Sequence, residues 1–411
     1  MKKNIVIVGA GFAGINTYKS LPRWVKKNCN ITIIDRHNYF LFTPLLHEVA
    51  TGALNAHHVV EPIESIVGSE VVVIQDTVTA FDHADQQVRL QNNNDVPYDI
   101  LVLGIGSQTN FFGTHGAEER SFVLKNLYDA ELLRNHFVTR FQEASLMDTP
   151  EQRKKHLTTV IVGGGPTGVE IAGEASELFF HSFKKQYEGS FDTSEAHITL
   201  VNASATILQP FSPGSQYYAQ RVLREKHVDV RNNIRVTEIA DDSVITTEGE
   251  VIPAATVIWA AGVIPEHIDC PPSVLKDRNK IHVEPTLQLK EHENVFVLGD
   301  MALVETEDTK GYPTLAQVAQ QQGVQTALNI ERLLKKEPLL NFVYKEKGKL
   351  VSLGQWHAIA ELGSVHLQGA LAWFIWRTIY LINFASWNKR FKIVADWTSN
   401  LFNPRDTTKL N

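Results

Sequence analysis

One pattern occurs twice in this chain and limits what it can fold into more than any other feature: an apolar strand, a glycine turn, then a helix. The second copy reads Val160-Ile161-Val162-Gly163-Gly164-Gly165-Pro166-Thr167-Gly168-Val169-Glu170. A β-branched run enters the glycines and a helix leaves them, so bare backbone N–H groups face a pyrophosphate at the helix N-terminus. The first copy is Ile5-Val6-Ile7-Val8 followed by Gly9-Ala10-Gly11-Phe12-Ala13-Gly14, with a helix continuing to Leu21. Ile31 to Ile34 is the next strand, and Asp35 ends it 21 residues after Gly14. Glycines alone would mark any tight turn. A strand before, a helix after and an acid about 20 residues on make a dinucleotide fingerprint. Asp35 is placed to accept hydrogen bonds from an adenosine ribose.

The two copies continue in parallel. Ile100-Leu101-Val102-Leu103-Gly104-Ile105-Gly106-Ser107 and Thr256-Val257-Ile258-Trp259-Ala260-Ala261-Gly262-Val263 are strands ending in small residues, which let a strand end approach a cofactor. Val228–Arg231, Val236–Ile239 and Val244–Thr247 read as a β-meander. The strand Ala196–Val201 closes on Asn202, where a nucleotide-binding unit usually holds an acid. A carboxylate would repel a 2′-phosphate and an amide would not, so NADPH is expected to be tolerated beside NADH. No arginine follows at once to clamp such a phosphate, so a strict NADPH preference is not expected. Two copies of one plan mean two dinucleotides. The expected fold class is α/β, with two Rossmann-like dinucleotide-binding domains.

Asn294 to Ala302 is a further strand containing Leu298-Gly299-Asp300. That carboxylate suits the hydroxyls of a ribityl chain, although a turn aspartate has the same pattern. A helix opens near Thr314, and Gln317 and Gln321 share one of its faces. A plain polar surface and a pair of amides near a polar acceptor both fit. His47, in the apolar stretch Asn38–Gly52, reads as a structural histidine rather than a proton carrier.

The chain has 411 residues, enough for two or three domains. A net charge of −7 gives no basic footprint for nucleic acid. Cys29 and Cys270 are far apart in sequence and form no CxxC pair, which argues against a dithiol centre, a zinc ribbon or a disulfide framework. No metal is expected, and reduced cytosolic surroundings are. Met1 to Asn4 run straight into the first strand, so no signal segment is expected. No uninterrupted run of about 18 apolar residues exists, so no spanning helix is expected. Gly369–Ile382 is aromatic and apolar with one arginine, Arg377, and Asn388–Trp397 is basic and amphipathic. Trp373, Trp376, Trp387 and Trp397 are four of the seven tryptophans. Helices of this kind lie in a membrane interface, and packing against a second subunit is the competing reading.

Taken together, these segments resemble the type II NADH dehydrogenases, non-proton-pumping NADH:quinone oxidoreductases with one FAD. The resemblance rests on both glycine loops, Pro44-Leu45-Leu46-x-Glu48-Val49-Ala50-Thr51-Gly52, Trp259-Ala260-Ala261-Gly262-Val263, Leu298-Gly299-Asp300, Ala316-Gln317-x-Ala319-x-Gln321-x-Gly323 and the tail. It extends over nearly the whole chain, and Asn202 is the departure. It implies FAD at Gly9, Gly11, Phe12, Ala13, Gly14, Asp35, Arg36, Val78, Gly106, Asp300, Ala316 and Gln317. It implies NADH or NADPH at Gly163, Gly165, Pro166, Thr167, Gly168, Asn202 and Gly262, with Glu170 as the active-site residue. It implies a membrane quinone at Gln317, Gln321 and Pro44.

The expected division is an FAD-binding domain over residues 1–114 and 270–340 and an NAD(P)H-binding domain over 115–269, then an amphipathic helical region at 341–411 for membrane association and dimerisation. The expected setting is peripheral, on the cytoplasmic side of the inner (plasma) membrane, as a homodimer, without nucleic acid. Deleting the tail from about residue 365 is expected to abolish lipid binding and to spare NADH oxidation with a soluble acceptor. Two other readings stay open. A soluble NAD(P)H-dependent flavoprotein reductase of a carrier protein or small quinone predicts no lipid affinity. A non-catalytic flavin-dependent interaction protein predicts slow flavin reduction by NADH. Sulfide:quinone oxidoreductases share the fold but need reactive cysteines, and Cys29 and Cys270 do not end the expected cofactor-facing strands.

Overall fold

A run of consecutive apolar residues with no polar alternation suits a strand buried on both faces, and each glycine turn is fed by such a run, Ile5–Val8 and Val160–Val162. The computed structural model describes residues 2–408 except 272, 273, 275, 278, 307, 308 and 385. The chain divides into two compact units. One comprises Met1–Leu41, Val60–Gln108 and Val263–Glu346; the other comprises Phe42–Val59, Thr109–Gly262 and Lys347–Asn411. The boundaries expected from sequence fell elsewhere: residues 42–59 and the tail both group with the second glycine loop.

In the first unit the strand Lys3–Val8 lies between Ile100–Leu103 and Cys29–Asp35, all parallel, with Ile5 opposite both Ile31 and Ile100. His292–Val297 and Val72–Gln75 extend the parallel run on either side. Ile5, Val6, Ile7 and Val8 are fully buried, as a covered parallel sheet requires. The helix Phe12–Ser20 leaves the turn and packs along Ala316–Lys335. The contact is backbone-close, because a Cβ on Gly323 would stand 2.4 Å from the Ala13 carbonyl oxygen. A larger residue there would push the two helices apart.

In the second unit the strands run Val228–Asn232, His197–Asn202, Thr158–Val162, Thr256–Trp259, again all parallel. Val228–Asn232 therefore belongs to this sheet and not to the expected meander. The meander is Val236–Ala240, Ser243–Thr246 and Val251–Pro253. The register Ile198 to Val228 explains the difference: a parallel pair needs the crossover helix Pro213–Glu225 between its strands, and the sequence reading had not placed that helix. The helix Pro166–Glu177 leaves the second turn and runs into a wider turn at Leu178–Phe183. Phe179 and Phe183 there stack on Phe141 of Leu127–Ala144, a helix opened by a reciprocal Asn126–Asp129 cap.

The tail forms three antiparallel strands, Lys349–Ser352, Ala358–Leu362 and Val365–Gln368, then the helices Ala370–Ile382 and Trp387–Phe402. Among the described residues no helix is long and apolar enough to cross a membrane. The tryptophans correct the interface reading. Trp373, Trp376 and Trp397 are buried in the unit's own core, and Trp387 alone of the four is exposed. Spacing along a helix marks one apolar face, and here that face is covered by the protein itself. A second apolar set remains uncovered: Leu371, Phe374, Ile382, Trp387, Phe391 and Phe402.

Candidate functional site

The two glycine turns are built alike. Gly9 takes φ +95° and Gly163 φ +119°, in the region that favours glycine. A Cβ on Gly9 would stand 2.3 Å from the Gly104 oxygen, and one on Gly163 2.5 Å from the Ala260 oxygen. The Gly9 N–H donates to the Ile34 carbonyl and the Gly163 N–H to the Val201 carbonyl. Gly14 and Gly168 each sit so that a Cβ would meet the turn's own first carbonyl at 1.9 Å. Gly11 and Gly165 are the helix N-caps; neither caps with a side chain, and a Cβ on either would meet nothing within 4 Å. Both loops therefore present helix-terminal N–H groups beside the open space at Gly11 and Gly165, which fits a pyrophosphate. Phe12 and Ala13 form the first helical turn of one loop, and Pro166 and the exposed Thr167 that of the other.

The strand ends differ. Asp35 accepts the Ala10 N–H at 2.7 Å and the His37 N–H at 2.8 Å, one bond to each carboxylate oxygen, so the acid both braces the loop and keeps lone pairs for a ribose. Asn202 is turned inward. Its amide nitrogen donates to the carbonyls of Ser204 and Thr206 and to the Asn232 side chain. Asn202 thus holds the loop that follows it, a role a carboxylate could not take.

The first unit also carries further residues expected at the flavin. Asp300 accepts from the Ser107 hydroxyl at 2.5 Å, and the Gly299 N–H donates to Gln322. Gly106 takes φ +82° with open space at its missing Cβ. Ala316 and Gln317 begin a 20-residue helix whose N-cap, Leu315, makes no side-chain cap bond, and both residues are half-buried. Arg36 is exposed and weakly paired with Glu266 at 3.5 Å, and Val78 sits half-buried in the strand Val78–Asp82, opposite Leu90. Gln321, one of the expected quinone residues, is engaged at both ends of its amide by the Lys345 backbone. It pins a neighbouring segment, and sequence spacing could not show that. In the second unit Gly262 lies against the Phe112 ring, and Pro44 is half-buried in the short turn Thr43–Leu45.

Glu170 lies in a dense buried cluster. It is 7% exposed, and its carboxylate accepts the Ser352 N–H at 3.2 Å. His47 Nδ1 stands 3.7 Å from its other oxygen, too far for a hydrogen bond. The Trp376 indole N–H lies beside the same carboxyl without reaching good hydrogen-bond geometry. Burial pushes Glu170 well above the usual carboxylate range, and burial holds His47 neutral, down to about 4. One turn on, Glu174 accepts Arg405 at 2.6 Å, and both side chains are buried. Burial acts upward on Glu174 too, but the Arg405 charge and hydrogen bond outweigh it and hold the carboxyl below its usual range.

The other buried carboxylate is Glu48, which accepts the Trp397 indole N–H at 2.6 Å. Burial first, and Glu174 beside it, push Glu48 up to about 7. Arg377 lies over the Trp373 and Trp397 rings at 3.6 and 4.6 Å, and burial lowers it only to about 10, so it stays charged.

Sequence reasoning singled out Glu170 because it sits on a motif. It missed Glu48, Glu174 and Arg405 and read the tryptophans as surface. Nothing local joins these residues, since Glu48 and Trp397 are 349 positions apart. The cluster bears directly on the expected outcome of the tail deletion. Residues beyond 365 supply Trp376, Arg377, Trp397 and Arg405 to it, so cutting the tail away would strip partners from Glu48 and Glu174.

Over residues 3–323 the chain matches the family model of the pyridine nucleotide-disulphide oxidoreductases, and over residues 347–406 that of the NDH2 C-terminal domain. It is 32% identical over 415 residues to a probable NADH dehydrogenase of Dictyostelium discoideum, covering 98% of this chain and 90% of that one. It is 31% identical over 424 residues to a type II NADH:quinone oxidoreductase of Mycobacterium tuberculosis, covering 98% and 89%. In fold it is similar to the Plasmodium falciparum NDH2 solved with NADH, with a TM-score of 0.92 and 20% identity over the whole of both chains.

Proposed function

The chain belongs to the pyridine nucleotide-disulphide oxidoreductases and, among them, to the type II NADH:quinone oxidoreductases, and from that premise we propose how its residues divide the work. The enzyme oxidises NADH and reduces a quinone through FAD. When bound, FAD would supply the redox chemistry, hydride acceptance on the NADH side and two-electron delivery on the quinone side. The chain's own part is to bind, orient and manage charge.

In this reading the first unit holds FAD. The N–H groups at Gly11 and Phe12 take the pyrophosphate, Asp35 the adenosine ribose, and Asp300 the ribityl hydroxyls. The loop Gly163–Gly168 takes the pyrophosphate of NADH. With Asn202 in place of an acid, NADPH is accepted as well. Glu170, on the helix that begins at this loop, holds or releases a proton as charge changes at the nicotinamide end. The observation that carries its role is a carboxyl buried to 7% exposure with one backbone donor and no cation in ion-pair contact among the described residues. A purely structural helix glutamate would sit in water or against a cation.

The quinone comes from lipid. The uncovered apolar residues Leu371, Phe374, Trp387, Phe391 and Phe402 would rest in the headgroup region with the chain peripheral to the cytoplasmic face of the inner (plasma) membrane. A second copy of the chain would cover the same residues in a homodimer. Light scattering in detergent and flotation with liposomes separate the two. The function itself is tested by steady-state kinetics of the FAD-loaded protein with NADH and NADPH against ubiquinone and menaquinone analogues. Rapid NADH-dependent quinone reduction is expected. FAD reduction by NADH without electron transfer to any quinone would overturn it.

A further inference from the structure

The cluster around Glu170 holds more charge than its mechanism uses. Three carboxylates, Glu48, Glu170 and Glu174, are buried beside two arginines that are half-buried as whole residues, Arg377 and Arg405. Neighbouring charges are already matched. Lys226 pairs with Glu177, and Arg134 serves the chain end through the Thr408 carbonyl at 2.9 Å and Asp406 at 3.8 Å. His47 adds no charge near neutral pH, and the Tyr380 phenol is pushed up by burial and stays neutral. Arg405 belongs to Glu174 through a direct bond. Among the described residues no lysine or arginine reaches ion-pair distance of Glu48 or Glu170. The fully ionised cluster therefore carries one uncompensated negative charge, and a buried charge of that kind is neutralised by protonation.

Polar atoms left without partners point to the same place. His47 Nε2, Trp376 Nε1 and Arg377 Nε are buried and unpaired, and all three side chains border these two carboxyls. The two donors favour an ionised carboxyl beside each, Trp376 at Glu170 and Arg377 at Glu48, and the cluster has one cation too few for both to be ionised at once.

We propose that Glu48 is the second seat, beside Glu170, of the one proton this cluster holds, and that Trp397 of the last helix completes that seat. Glu48 is then a positioning residue: it acts on the reaction through the charge of Glu170. The inference rests on the role proposed for Glu170. It goes further in making the tail helix part of the electrostatics of the site. When the proton is on Glu170, the ionised Glu48 keeps the Trp397 N–H bond. When it is on Glu48, Glu170 is ionised and keeps the Ser352 N–H. No atom is gained or lost, and only the proton's place changes.

The test is an infrared pH titration of the FAD-loaded full chain, following the carbonyl stretch of protonated carboxyl groups. Glu48→Gln and Glu170→Gln are each expected to lower the midpoint of the band near neutral pH by about one unit, because each removes a neighbouring charge. The double variant is expected to lose the band, and Glu48→Asp to keep the titration. A Glu48→Gln curve that superimposes on the wild type would overturn the proposal. If Glu48→Gln does not fold, Trp397→Phe keeps the carboxyl and removes its donor; its midpoint should rise, and an unmoved midpoint overturns the proposal equally. The pH profile of turnover separates this from the underlying reading. Glu48→Gln should shift the profile with KM for NADH unchanged. If Glu170→Gln moved the infrared band but left turnover untouched, the role of Glu170 would fall while the shared proton stood.

Discussion

The two glycine loops share a backbone and differ in what their helices carry. In the first, Phe12–Ser20 meets its neighbour through Ala13 and Gly323, and nothing on it is charged except the exposed Lys19. In the second, Pro166–Glu177 buries Glu170, Glu174 and Glu177, each with a different partner: a backbone N–H, an arginine and a lysine. A dinucleotide needs the shared part, namely open N–H groups and two close backbone approaches. The charge is extra. The contrast supports the proposed division, in which the first copy holds a resident group and the second receives a visitor and answers a change of charge.

The comparison breaks most visibly at the glycines. Gly14→Ala and Gly168→Ala each force a Cβ to 1.9 Å from a carbonyl oxygen, and each is expected to cost on the order of 3 kcal/mol. Their readouts should differ. Gly14→Ala is expected to yield protein without flavin. Gly168→Ala should keep its flavin absorbance and lose NADH binding by titration. Flavin loss from both would mean the two loops are not separate sites.

Of comparable size is the effect at the Arg405–Glu174 pair. Arg405→Ala leaves a buried carboxylate uncompensated, and a loss of about 3 to 5 kcal/mol is expected in denaturant unfolding. The sign of its pH dependence follows from the depressed Glu174 carboxyl. The pair's stabilisation is full above the ordinary glutamate value of 4.5 and drains as pH falls toward the lower native value. The wild type should therefore lose stability in that acid window, and Arg405→Ala should lose less. The opposite window belongs to Glu170. Its raised carboxyl favours the native state below 4.5, and that contribution fades as pH rises toward the native value.

Glu170→Gln separates function from structure for that reason. The amide can still accept the Ser352 N–H, and it has no charge to desolvate. Turnover with NADH and a quinone is expected to fall about a hundredfold with FAD retained. The melting temperature at neutral pH should hold or rise. Unchanged turnover would remove Glu170 from the mechanism.

These cases show where sequence was legible. The loops, the parallel strands that feed them and Glu170 all lie within runs of about 20 residues whose periodicity and glycines encode local geometry. The Glu48–Trp397 and Glu174–Arg405 contacts join segments more than 200 positions apart, and no local pattern encodes them. The tail tryptophans show the same limit. Their spacing places them on one face of a helix, and a face covered by Glu48 and Arg377 reads in sequence like one covered by lipid.

The smallest effect, and the finest test of the two copies, is at the strand ends. Restoring symmetry with Asn202→Asp puts a carboxylate where the first copy has Asp35. Yet Asn202 donates to Ser204, Thr206 and Asn232, and a carboxylate would face those three oxygens with no proton to give. Two N–H donors shared among three oxygens, worth about 1 kcal/mol each, are at stake, so the loop should loosen before any selectivity is gained. The expected outcome is a preference for NADH over NADPH that grows by less than about tenfold, with kcat/KM falling for both nucleotides. Asn202→Asp together with Asn232→Ser, which removes one opposing oxygen, should recover part of the lost NADH activity. A wild type that already excludes NADPH by about a thousandfold would show that something other than the strand-end acid reads the 2′ position.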